Sequence, residues 1–158
     1  AVYGNISVMF PMVSHIEELV KIQEILKDVK EELDTENKLY KNIKIGIMIE
    51  TPSAVKESDI LTKDIDFVSL GTNDLIHYAF EKDRTSGEET TLNDEEYSKI
   101  LHMIKLTVEN AHKNNCKVSI CGELAGDLKS TDKIIEAGVD ELSVAPSKIL
   151  LLRKQIIS

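Results

Sequence analysis

Three chemically capable groups stand directly after three short β-branched runs. Glu50 follows Lys44-Ile-Gly-Ile-Met-Ile49. Asn73 and Asp74 follow Asp66-Phe-Val-Ser-Leu70 across Gly71-Thr72. Cys121 follows Lys117-Val-Ser-Ile120 and precedes Gly122-Glu123. If the runs are strands of a parallel sheet, these groups collect at the carboxyl ends, where such folds place their sites. Two carboxylates suit a hard divalent cation, because Mg²⁺ takes one or two protein carboxylates and fills its shell with water and substrate phosphate. Glu50 and Asp74 would be that pair. The spacing alone leaves a second reading open, in which each acid caps the helix after it. A thiol at a strand end reads equally as a small buried hydrophobe.

The elements that must position these groups alternate along the chain. Ile6 to Phe10 reads as a strand, followed by a helix capped by Ser14 with Glu17 completing a capping box. Thr51-Pro52 opens a helix after the second strand, with Pro where no N–H is needed. A short helix is expected from about Asp74, and a polar, acidic loop over 83–93. Asn93 and Glu96 start a long helix whose apolar residues include Ile100, Ile104, Val108 and Ala111. After the fourth strand, Ser130 or Thr131 caps a helix ending at Gly138. A fifth strand runs from Glu141 to Val144, and Pro146 starts the last helix. Five strands separated by helices predict a parallel α/β sheet. No internal repeat or linker divides residues 1–158, so one unit is expected. A strand almost at the first residue points to a fragment of a longer chain.

Composition narrows the function classes. The chain has 158 residues, 42% hydrophobic and 30% charged, with a net charge of −9 and no basic block. That argues against nucleic acid and anionic membrane as partners. No apolar run approaches the roughly 20 residues of a membrane helix, and no signal-peptide pattern is present, so a cytoplasmic protein is expected. The spacing of Cys116 and Cys121 fits neither a zinc pair nor a CxxC redox motif. Cys116 reads as inert.

Five tracts then occur in a telling order: Met9-Phe-Pro-Met12, Ile47-Met-Ile-Glu-Thr-Pro52, Ser69-Leu-Gly-Thr-Asn-Asp-Leu75, Asp83-Arg84 and Cys121-Gly-Glu-Leu-Ala-Gly-Asp127. Together they resemble the phosphoenolpyruvate-utilising enzymes, the family of enzyme I of the bacterial sugar phosphotransferase system, pyruvate phosphate dikinase and phosphoenolpyruvate synthase. The Cys121 to Asp127 tract most resembles the enzyme I branch, its C-terminal phosphoenolpyruvate-binding barrel. The alternatives are a dikinase or synthase barrel, or a non-catalytic oligomerisation module that keeps the motifs as ancestry.

The resemblance implies a (β/α)₈ barrel, of which this chain would supply the last five βα units. It implies that Glu50 and Asp74 ligate Mg²⁺, that Asn73 and Arg84 contact the phosphate of phosphoenolpyruvate, and that Cys121 protonates the enolate carbon as pyruvate forms. It further implies transfer of the phosphoryl group to a histidine on a mobile domain, then to a phosphocarrier protein, in a homodimeric enzyme. None of His15, His77, His102 or His112 lies in the phosphohistidine motif. Three features depart from the family pattern: His77 where Gln is usual, Glu81 where a small residue is usual, and Thr90-Thr-Leu-Asn93 where a proline-bearing segment is usual before the next helix. With only Arg84 and Arg153 as arginines, the chain alone is expected to bind phosphoenolpyruvate weakly and to be inactive. An open barrel is expected to expose two sheet edges and an apolar inner face.

Overall fold

The computed structural model describes residues 2–82 and 92–157. Five parallel strands form one sheet: β1 (Ser7–Phe10), β2 (Lys44–Ile49), β3 (Phe67–Gly71), β4 (Lys117–Cys121) and β5 (Glu141–Leu142). Their order in space is their order in sequence. A doubly wound sheet reverses its strand order at a switch point, whereas a barrel adds each strand beside the last. The monotonic order therefore makes this an α/β fold of the (β/α)₈ type, represented by five of its units.

Alternation along the strands sorts the two faces. Ile47, Ile49, Val68, Leu70, Val118 and Ile120 are all fully buried. They face the layer formed by α1 (Ile16–Thr35), α2 (Pro52–Lys56), α3 (Ser58–Leu61), α4 (Thr72–Phe80), α5 (Asp94–Lys113) and α6 (Leu128–Glu136), while α7 (Pro146–Ile156) packs against α6. The long helix α5 contributes Ile100, Ile104, Val108 and Ala111 to that core. The opposite, inner face carries Ser7, Met9, Gly46, Met48, Phe67, Ser69 and Ser119. It is therefore mixed and partly hydroxylated, not the apolar face expected. Exposed apolar side chains are spread along the chain, Met9 of the inner face among them, and one group lies on and after the last helix, at Ile149, Leu150, Leu151, Ile156 and Ile157.

Several boundaries differ from the sequence reading, each for a local reason. The cap of α1 is His15, one residue late, because Glu18 rather than Glu17 accepts the backbone N–H groups of Ser14 and His15 at 2.7 and 3.0 Å. Ser14 turns its hydroxyl to Thr51 at 2.8 Å. Helix α4 starts at Thr72, two residues early, directly from the strand. Asp127 caps α6, accepting from the backbone of Lys129, while Ser130 and Thr131 are buried inside the first turn. Strand β5 is only two residues long, because it pairs with β4 alone over Ser119–Ile120. The Asn93–Glu96 capping box of α5 forms as read. The expected loop over 83–93 falls mostly outside the described residues.

Candidate active site at the carboxyl ends of the strands

The register builds the site. Ile49 pairs with Leu70, and Gly71 pairs with Cys121, so Glu50, Gly71 and Cys121 form one lateral row across three neighbouring strands. With about 4.8 Å between strands, Glu50 and Cys121 stand roughly 10 Å apart on either side of Gly71.

Gly71 is small because Glu50 needs the space. A Cβ at Gly71 would lie 2.9 Å from Oε2 of Glu50 and 3.1 Å from the sulfur of Met48. Glu50 is 4% exposed and accepts the backbone N–H of Met12 at 2.8 Å through Oε1. Met12 reaches that position by adopting a left-handed backbone, with φ of 57°. The tract after β1 thus holds the carboxylate from the side, a contact that the sequence does not announce. Glu50 is also not the cap of α2. Thr51 is, accepting from the N–H of Ala54 at 3.2 Å. Asp74 lies in the first turn of α4, where the helix dipole favours a carboxylate. The capping alternative is thus removed for Glu50, while Asp74 keeps a helix-stabilising role beside any other.

Cys121 ends β4 and is held from β3 and the first residue of α4. Its thiol donates to the carbonyl of Leu70 at 3.4 Å, its sulfur accepts from the Ser69 hydroxyl at 3.6 Å, and its carbonyl accepts from the Thr72 hydroxyl at 2.7 Å. Gly122 follows with φ of 91°. A Cβ there would lie 2.4 Å from the Thr72 hydroxyl oxygen and 2.7 Å from Oδ1 of Asn73. Asn73 spends that oxygen on the backbone N–H of Glu123 at 2.9 Å, which leaves its amide N–H₂ as the end able to donate to an anion. The sequence singles out Asn73 and Cys121 but not Ser69 or Thr72, because hydroxyls in a strand carry no motif signal of their own.

Arg84 lies outside the described residues. His77 sits on α4 with Nδ1 against the carbonyl of Lys82, a bond that closes the end of that helix. Glu81 is the residue in the left-handed conformation there, with φ of 53°. Lys82 bonds Glu96 at 2.7 Å, and hydrogen bonding to that lysine holds the Glu96 carboxyl below its ordinary range. Cys116, buried at 1% exposure, has its thiol pushed up to about 12, first by burial and then by Asp66 and Asp140.

Glu50 and Asp74 place hard carboxylate oxygens after two adjacent strands, the donor type that Mg²⁺ takes, and no group of three or more His, Cys, Asp or Glu that could hold a metal ion is assembled among the described residues. Two open concavities lie elsewhere. One of about 380 Å³ is at the amino ends of the strands, lined by residues such as Lys44, Asp66 and Lys117. Another of about 430 Å³ runs between α6, β5 and α7. Neither includes Glu50, Asp74 or Cys121, since five strands offer one side of a barrel mouth and do not enclose it. No helix among the described residues is long and apolar enough to cross a membrane.

Comparison with known proteins agrees with this architecture. Residues 1–158 match the family described as PEP-utilising enzyme, PEP-binding domain. The chain is 38% identical over 157 residues to the phosphoenolpyruvate-protein phosphotransferase of Staphylococcus aureus, covering 99% of this chain and 27% of that protein. It is 39% identical over 154 residues to the protein of the same name from Mycoplasma genitalium, covering 98% of this chain and 26% of that one. The chain thus spans about a quarter of the length of these curated relatives. Among solved structures, a citrate lyase from Burkholderia xenovorans superposes with a TM-score of 0.70 at 12% identity, over 94% of this chain and 48% of that one. A pyruvate kinase from Cryptosporidium parvum superposes with a TM-score of 0.65 at 12% identity, over 98% and 32%. At that identity the likeness is one of fold.

Proposed function

The chain belongs to the PEP-binding domain family of the PEP-utilising enzymes, and from that premise we propose that it forms part of the catalytic barrel of a phosphoenolpyruvate–protein phosphotransferase. In this reading residues 1–158 are one unit near the C-terminal end of a longer polypeptide. The row Glu50–Gly71–Cys121 is the observation that carries the assignment, because it sets a carboxylate and a thiol on one face at the ends of β2 and β4, flanking β3.

Glu50 and Asp74 would hold Mg²⁺, which when bound supplies positive charge against the phosphate and the developing enolate. The amide N–H₂ of Asn73 and the guanidinium of Arg84 orient the phosphate, Arg through its bidentate fork. Loss of the phosphoryl group to a histidine on a separate domain leaves the enolate of pyruvate. Cys121 then gives its proton to the terminal carbon, and the thiolate regains one from water. Its bond to the Leu70 carbonyl fits this role, since the thiol is the donor in it. The reading carries with it a phosphocarrier protein as the next acceptor, a homodimeric enzyme, a cytoplasmic setting and a role in sugar uptake.

Calorimetry on the complete gene product tests the assignment. Phosphoenolpyruvate binding should require Mg²⁺ and should be lost in Glu50→Gln and Asp74→Asn. Mg²⁺-independent binding unchanged in both variants would remove the metal pair.

A further inference from the structure

Ser69 is an uneconomical residue for its place. It lies in the middle of β3, is 6% exposed, and points its hydroxyl at a sulfur. Burying a hydroxyl is unfavourable unless a good acceptor compensates, and a thiol sulfur is a weak one. Stability alone would be served as well by alanine. The same sulfur becomes a strong acceptor once it carries negative charge, because hydrogen bonds to ionised groups are the strong ones. The Ser69–Cys121 bond is thus poor in the resting state and good after the thiol has lost its proton. An interaction that strengthens along the reaction in this way lowers the barrier rather than merely holding a ground state.

We propose that Ser69 is a positioning residue for proton transfer, holding Sγ of Cys121 and stabilising the thiolate left when its proton is delivered. The proposal rests on the reading of Cys121 as the proton donor. In the step, the S–H bond breaks and its electron pair stays on sulfur. The π pair of the enolate takes the proton to form the new C–H bond of the pyruvate methyl group. The Ser69 O–H donates to the thiolate until water returns a proton to it. Three contacts from β3 and the start of α4 prepare the geometry. Thr72 fixes the Cys121 backbone, the Leu70 carbonyl holds the thiol proton at rest, and Ser69 fixes the sulfur from the side. Delivery therefore needs only rotation of the S–H about the Cβ–Sγ bond, with the sulfur staying in place.

The test is a double-mutant cycle on pyruvate formation in the complete gene product, with Ser69→Ala, Cys121→Ala and the double variant. Ser69→Ala should lower kcat roughly tenfold to a hundredfold, the worth of one hydrogen bond to a charged group, with phosphoenolpyruvate affinity retained. In the Cys121→Ala background the same change should have no further effect. If Ser69→Ala prevents folding, Ser69→Cys fills the space with a poorer donor and takes its place in the cycle. A wild-type rate in Ser69→Ala, or an equal loss in both backgrounds, overturns the inference while leaving Cys121 in its role. Wild-type turnover in Cys121→Ala instead overturns the reading beneath it, and the inference with it.

Discussion

The backbone N–H of Met12 donates to the buried carboxylate of Glu50 at 2.8 Å across 38 residues of sequence. This bond ties the turn after β1 to the end of β2 and gives Glu50 a structural duty separable from its proposed role as a metal ligand. Glu50→Ala should cost about 1–3 kcal/mol of stability, since it leaves a donor unsatisfied beside a buried site. Glu50→Gln keeps an acceptor for Met12 and should lose less than about 1 kcal/mol, while still losing the charge a metal needs. Urea denaturation of the two variants, run beside Mg²⁺ titrations, separates the duties. Equal stability losses in both would contradict the bond.

Gly122 should tolerate no side chain. Its φ of 91° and the 2.4 and 2.7 Å distances that a Cβ would make to Thr72 and Asn73 act together. Gly122→Ala is expected to destabilise by roughly 2–4 kcal/mol, from backbone strain plus the broken lacing between β3 and β4. The thermal midpoint measures this, and a shift of less than about 2 °C would mean that the two strand ends move apart freely.

The two thiols should be chemically unequal. Cys116 is buried, with its thiol pushed up to about 12, whereas Cys121 is only partly buried at the strand end. Iodoacetamide at pH 8 should therefore alkylate Cys121 first, leaving Cys116 unmodified until the chain unfolds. Mass spectrometry of a timed digest decides, and equal labelling rates in the native chain would refute the assignment.

His15 and Glu57 form a pH-limited tie between the start of α1 and the α2–α3 junction, at 2.7 Å. Hydrogen bonding to Glu57 raises His15 from its ordinary 6.5, and hydrogen bonding to His15 lowers Glu57 from 4.5. The raised histidine contributes stability below about pH 6.5, which fades as pH climbs through its folded value. The lowered carboxylate contributes above about pH 4.5, which fades as pH falls through its folded value. The tie is therefore strongest between about pH 5 and 6.5. The difference in thermal midpoint between the wild type and His15→Ala should peak there and shrink by pH 9, and a difference flat across that range would show that the pair does not couple.

The strands were legible because β-branched runs and flanking glycines report backbone preference directly, and β2 falls on the residues read for it. The caps of α1 and α6 were less so. His15 and Asp127 each compete with a neighbouring hydroxyl residue, and tertiary partners decide between them: Thr51 takes Ser14, and burial takes Ser130. The register that lines up Glu50 with Gly71 and Cys121 depends on strand pairing, which no local pattern encodes. For the same reason Asn73 and Cys121 could be named from their tracts, while Ser69, Thr72 and the Met12 N–H emerged only from contacts.

The sequential order of the strands also governs how the molecule comes apart. Strands β2, β3 and β4 each have a neighbour on both sides, whereas β1 and β5 have one apiece. Opening should therefore proceed inward from the edges, with amide hydrogen exchange fastest in β5 and β1 and slowest in β3. The row Glu50–Gly71–Cys121 lies entirely at the ends of the three central strands. The residues proposed to form the site thus sit in the last part of the sheet to open, and fraying at either margin leaves them undisturbed.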